Sequence, residues 1–259
     1  MELAIGLNLK REKQLKTKLV IFIVLVTGLF SCKRENCFDC IKSTGKIITQ
    51  ERAIDAFSSV FIEDKIDVYI TQDSIFKVEV EAGQNLQSLI KTEVDGETLR
   101  IHNDNKCNWV RGYKHSIKVF IHAPYFKYIE NAGVGTTQAL HTITQNEMTI
   151  RTSNSGDLKL AVNTNKMMIS AHGNGDIYLT GNTIKLESSC VGTNFLFAKD
   201  LIISNYAFMY TASIGNSFVT APENGLMDVQ IARDGNIYYK GNPSQINLNR
   251  IGKGDLIKE

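Results

Sequence analysis

A chain of 259 residues with 43% hydrophobic content is long enough to bury a sizeable core, which excludes a disordered tail and a disulfide-stapled mini-protein. Three prolines in the whole chain, against abundant Gly, Asn, Thr, Ser and Ile, favour many short strands joined by tight turns over a helical bundle. The net charge of +2 comes from residues 1–31, where Lys10, Arg11, Lys13, Lys16 and Lys18 outweigh Glu2 and Glu12; the near-neutral remainder excludes nucleic acid, which needs clustered cations, as a partner.

Met1 to Lys18 is basic, Leu19 to Phe30 is an uninterrupted apolar run apart from Thr27 and Gly28, and Ser31-Cys32 closes it, the layout of a signal peptide over 1–31. The run is shorter than the roughly 20 residues a transmembrane helix needs. Ser31-Cys32 resembles a lipobox, which implies acylation of Cys32 and cleavage before it, with an uncleaved anchor or an ordinary secretory site as alternatives. Acylation would make the membrane a partner through the lipid. Lys33 after the cysteine resembles outer-membrane sorting, so the expected location is the cell envelope, facing the periplasm or the surface.

Residues 32–50 read as a tether. Within it Cys37 and Cys40 are candidates for a disulfide to Cys107, which would close a long loop and contribute about 4 kcal/mol in the chain-entropy model. Exported thiols are usually oxidised and no His lies at ligand spacing, so neither zinc nor an iron–sulfur cluster is expected, and no cofactor is assigned. Cys190 is expected to be a buried, inert thiol.

Residues 51–128 form a β region without an obvious repeat. Strands are predicted at Val60–Ile62, Ile66–Thr71, Phe76–Glu81, Thr98–His102 and Ile117–His122, a helical turn at Asn85–Ile90, and a hairpin turn at Asp95-Gly96. This half is expected to be either irregular opening coils or a small antiparallel cap. Trp109, with Arg111 and Tyr113 nearby, is the candidate ligand contact, suited to stacking or to packing on a partner; the alternative is a loop covering the end of the fold.

From residue 129 to 259 a short glycine signature returns, as in Asn154-Ser155-Gly156-Asp157-Leu158 and Gly173-Asn174-Gly175-Asp176-Ile177. Taking the second glycines as 135, 156, 175, 192, 215, 235 and 254 gives intervals of 21, 19, 17, 23, 20 and 19. A period near 20 with alternating apolar residues between the glycines predicts stacked strand–turn–strand units. The fold class is therefore all-β, a right-handed parallel β-helix or β-solenoid of about 20-residue coils, with the corner glycines expected to supply positive φ.

Phe57-Ser58-Ser59-Val60, Val94-Asp95-Gly96 with Leu99-Arg100-Ile101, and the glycine turns through Gly254-Asp255-Leu256 resemble the auto-transporter adhesin head, or GIN, domain family of exported Bacteroidetes proteins. The resemblance covers roughly Arg52 to Lys258 and implies adhesion, with a glycan or an envelope protein as ligand. Asp157 and Asp176 fall in equivalent corners, where stacking sets their carboxylates close enough to hold calcium or to catalyse. The plainer reading has each capping its own turn. The five histidines form no triad and no metal spacing, so no catalytic residue is assigned and an enzyme is not expected. A polysaccharide lyase or hydrolase, or a purely structural envelope component, is the alternative. Nothing specifies an oligomeric state.

Overall fold

Alternation of side chains explains why these residues become strands: along each repeat buried, mostly apolar inward positions alternate with more exposed outward ones. The computed structural model describes residues 43–105 and 116–259. Among them all regular structure is β except one 3₁₀ turn, Gln87–Leu89, inside the predicted helical segment. From Tyr128 onward the solenoid is parallel, with about seven turns spaced by about 20 residues.

The strands in chain order are β1 Ile47–Arg52, β2 Ser59–Ile62, β3 Ile66–Gln72, β4 Lys77–Gly83, β5 Ile90–Asp95, β6 Thr98–Asn103, β7 Ile117–Ala123, β8 Tyr128–Asn131 and β9 Thr137–Ala139. The repeats follow as β10 Ile143–Thr152, β11 Leu158–Gly173, β12 Ile177–Gly192, β13 Leu196–Ser213, β14 Ser217–Thr220, β15 Leu226–Ile231, β16 Ile237–Lys240, β17 Gln245–Arg250 and β18 Leu256–Lys258.

Two parallel stacks emerge. One, stack A, runs β7, β3, β9, the first halves of β11, β12 and β13, then β14, β16 and β18. The other, stack B, runs β6, β2, β8, β10, the second halves of β11, β12 and β13, then β15 and β17. In the middle coils one long strand belongs to both stacks. The core is the ladder of residues facing inward from them, including Ile62, Ile129, Ile150, Leu158, Ile177, Leu186, Leu196 and Met227, all fully buried.

Stacking order differs from chain order at the start. The first coil, β2–β3, lies between β6–β7 on one side and β8–β9 on the other. Beyond β6 and β7 the strands turn antiparallel: β5 pairs with β6, β4 with β7, and β1 with β4. The N-terminal half thus adds two coils to the parallel stacks, which begin before residue 129, and antiparallel strands beyond them. Gly96, at φ +61° in open space, makes the β5–β6 hairpin turn. The buried Gln87 amide plugs the cap: its nitrogen donates to Ile48 O and Val80 O, and its Oε1 accepts from Arg52.

The corner glycines require a correction of both register and cause. Gly192 pairs with Gly173, not with Gly175, and Asn194 fills the second-glycine column, where its side chain donates to the carbonyls of Ala171, Gly173 and Val191. With Asn194 in place of Gly192 the uneven intervals of 17 and 23 become 19 and 21. Nor do the second glycines have positive φ. A Cβ on Gly135, Gly175, Gly235 or Gly254 would lie 1.9–2.2 Å from the carbonyl oxygen of the neighbouring coil, so glycine is required by close approach of backbones.

Candidate functional site

The corner following each second glycine carries Thr136, Asp157, Asp176, Phe195, Asn216, Asn236 or Asp255, one above another. Asp157 Oδ1 accepts the N–H of Asp176 at 3.0 Å, and Asp176 Oδ1 accepts the N–H of Phe195 at 2.8 Å. Phe195 breaks the series. It resumes with Asn216 Oδ1 accepting from Asn236 N–H (2.9 Å) and Asn236 Oδ1 from Asp255 N–H (2.8 Å). The acids therefore cap the next coil, not their own turns, and join successive layers through charge-assisted bonds. Burial pushes the Asp176 carboxyl above its ordinary range; the Phe195 N–H opposes this and the Asp157 carboxylate adds to it. Asp157 and Asp176 stand in adjacent coils, and one oxygen of each already holds a backbone N–H. Among the described residues no three His, Cys, Asp or Glu side chains gather as a metal site.

Two residues further on, the outward side chains of stack A form a second column. Phe120, Tyr69, Gln138, Lys159, Tyr178, Phe197, Phe218, Tyr238 and Ile257 follow one another in register. Four consecutive rings stack nearly parallel: Tyr178 on Phe197 at 4.7 Å, Phe197 on Phe218 at 5.4 Å, and Phe218 on Tyr238 at 5.1 Å between centroids. Such pairs each contribute about 0.5–1.5 kcal/mol beyond area burial. Lys159 Nζ lies 5.3 Å from the Tyr178 centroid, at the start of the run. The rings cover one another's faces and present edges outward.

Beside the rings the ladder is irregular. Tyr178 pairs with Phe197 but Thr180 with Asp200, so Ala198 and Lys199 together stand opposite Leu179 in a β-bulge. The bulge opens a groove of about 320 Å³ lined by Tyr178, Thr180, Phe197, Lys199, Asp200 and Phe218. Lys199 Nζ sits 5.1 Å from the Phe218 centroid and pairs with Glu259 at 2.6 Å, while Asp200 is exposed at the mouth. The groove offers ring edges, a hydroxyl, an ammonium and a carboxylate, groups that can bind and orient a ligand.

Sequence reasoning missed this column, although its signal was present. A ring lies three residues after each of Gly175, Asn194, Gly215 and Gly235; the misplaced Gly192 hid the rule by pointing to Phe195 instead of Phe197. A polar cluster on the outward side of stack B was also missed. There Glu130 accepts from Tyr128 Oη at 2.6 Å and from the Ser153 hydroxyl, and pairs with Arg151 at 3.5 Å. Cys190 is buried as expected, and burial pushes its thiol up to about 12. Cys32, Cys37, Cys40, Cys107, Trp109, Arg111 and Tyr113 lie outside the described residues.

The family model described as "Putative auto-transporter adhesin, head GIN domain" matches residues 56–243. Among solved structures, the chain is similar to a "putative adhesin" from Bacteroides fragilis NCTC 9343, at 24% identity over 83% of this chain and 97% of that one, with a TM-score of 0.76. It is similar also to a "putative lipid binding protein" from Parabacteroides distasonis ATCC 8503 (21% identity, 84% and 98% covered, TM-score 0.64). A "putative adhesin" from Parabacteroides merdae ATCC 43184 shares 17% identity, with 84% and 98% covered and a TM-score of 0.63. At these identities the likeness establishes a common fold. No curated protein matches the chain.

Proposed function

The chain belongs to the auto-transporter adhesin head GIN domain family, and we propose that it is a non-catalytic, lipid-anchored envelope protein that adheres through the aromatic column of stack A. One observation carries this reading: an in-register run of four outward aromatic rings beside a bulge-opened groove. Contiguous apolar patches at a surface mark interaction sites. The ligand is a glycan or an envelope protein, held by ring edges and by Thr180, Lys199 and Asp200 in the groove. Catalysis is set aside because the two acids in register are engaged with backbone N–H groups. Acylated Cys32 would supply the tether, placing the protein at the outer membrane.

The test is binding of the Lys33–Glu259 polypeptide to a glycan array and to isolated envelope fractions, beside Phe197→Ala and Trp109→Ala variants. Saturable binding lost in Phe197→Ala and kept in Trp109→Ala supports the stack A surface. Loss only in Trp109→Ala moves the site to the segment around Trp109. Binding unchanged in both variants refutes the proposal.

A further inference from the structure

The two ends of the stack are finished differently. At the N-terminal end the strands with a free edge are antiparallel and carry charge, Glu51 and Arg52 in β1 and Lys91, Glu93 and Asp95 in β5. Charged side chains are a usual device for keeping a sheet edge from recruiting other chains. At the other end β17, Gln-Ile-Asn-Leu-Asn-Arg, has no charge before Arg250, contains no bulge, and pairs only with β15 among the described residues. Ile246 and Leu248 occupy the same inward columns as Met227 and Val229 of the previous coil. Met227 and Val229 are 0% and 1% exposed; Ile246 and Leu248 are 36% and 49% exposed. Among the described residues an uncharged edge and the exposed inward columns of the last coil thus coincide.

We propose that β17 is a self-docking edge, pairing antiparallel with β17 of a second copy about Asn247. Directly opposed residues of an antiparallel pair share a face, so a permitted register must set inward residues against inward residues. Centred on Asn247, the pairing places Ile246 against Leu248 of the second copy, Asn247 against Asn247, and Gln245 against Asn249. Apolar side chains close the core and amides face amides outside. Centred on Leu248 it would set Ile246 against Arg250, and a shift of one residue would set apolar against polar throughout. The favoured register is self-complementary, as a two-fold interface must be. Head-to-tail joining of β17 onto β1 or β5 would set its uncharged face against charged strands, so the assembly closes at two copies.

The test uses the full chain in its own membrane. With Asn247→Cys, mild oxidation is expected to give a dimer linked through residue 247, because opposed antiparallel residues lie within the Cα separation a disulfide bridges. Asn249→Cys, opposite Gln245, is expected to give no dimer beyond that of the parent chain, whose native cysteines set the baseline. In sedimentation of the purified full chain, Leu248→Lys is expected to convert the dimer to monomer without loss of the β circular dichroism signal. A monomeric parent, no excess cross-link at 247, a dimer that survives Leu248→Lys, or a ladder of larger species each overturns the proposal. Should Leu248→Lys fail to fold, the comparison of 247 with 249 still decides.

Discussion

Replacing Gly175 with alanine tests whether backbone proximity fixes the corners. The added Cβ would lie 2.2 Å from Gly156 O and 2.9 Å from Gly156 C, inside the 3.0 Å that real Cβ contacts respect. Neither coil can yield freely, since Gly175 N–H donates to Asn154 O, Gly156 N–H to Gly133 O and Leu158 N–H to Asp176 O. Overpacking of this kind costs about 1–3 kcal/mol, and a disrupted backbone hydrogen bond adds about 1 kcal/mol. The expected loss is about 3 kcal/mol, which for a domain of this size lowers the melting temperature by about 6–12 °C. Gly96→Ala is the control: nothing lies within 4 Å of its Cβ, and φ is +61°. It pays only the left-handed backbone penalty of about 1 kcal/mol. Thermal melts followed by circular dichroism compare the two variants with the parent. If Gly175→Ala melts with the parent, or above Gly96→Ala, close approach is not what selects glycine.

Asp176→Asn retains an acceptor for the Phe195 N–H, as Asn216 and Asn236 do for their neighbours, whereas Asp176→Leu loses it and should cost about 1 kcal/mol in urea unfolding. Because burial raises the folded pKa of Asp176 above its unfolded value, the native state holds the proton more tightly there, and stability falls as pH rises from the ordinary carboxylate range through the raised value. The advantage of Asp176→Asn over the parent should therefore grow across that window and then level; a constant difference contradicts the assigned cause. Tyr128 is pushed up to about 12 by burial and then by Glu130, so its contribution to stability is lost as pH rises from about 10 towards 12. In an alkaline absorbance titration Tyr128→Phe should remove a late-titrating phenol; a variant that lowers only the main step near pH 10 refutes this.

The repeat made the C-terminal coils readable, because one period carries both the alternation of apolar residues and the glycine at each corner. Gly192 shows where that reading failed. Glycine occurs in both the first and second corner columns, and only the pairing of Gly173 with Gly192 decides between them. The aromatic column was present as Tyr178, Phe197, Phe218 and Tyr238, but recognising it depends on that same register. The bulge was beyond sequence, since Ala198-Lys199 is an ordinary inward–outward step until its partner strand is known. In the N-terminal half the strands themselves were legible from Val60, Ile66, Thr98 and Ile117, and the hairpin from Asp95-Gly96. Their spatial order was not, because β2 takes both partners from chain far downstream.

That order bears on how the protein can be made and cut. From β10 onward each coil is laid on one already in place, so its partners are about 20 residues back and assembly can proceed layer by layer. The coil translated first has no such template: Ser59 must wait for both Thr98 and Tyr128, and Ile66 for Ile117. Such long loops make this segment the slow, all-or-none step of folding, with the downstream coils following quickly. Trimming from the C-terminus peels layers from an end. Excising residues 59–72, though they stand near the start of the chain, pulls a slab from the interior of the pile and leaves β6 and β8 facing a gap.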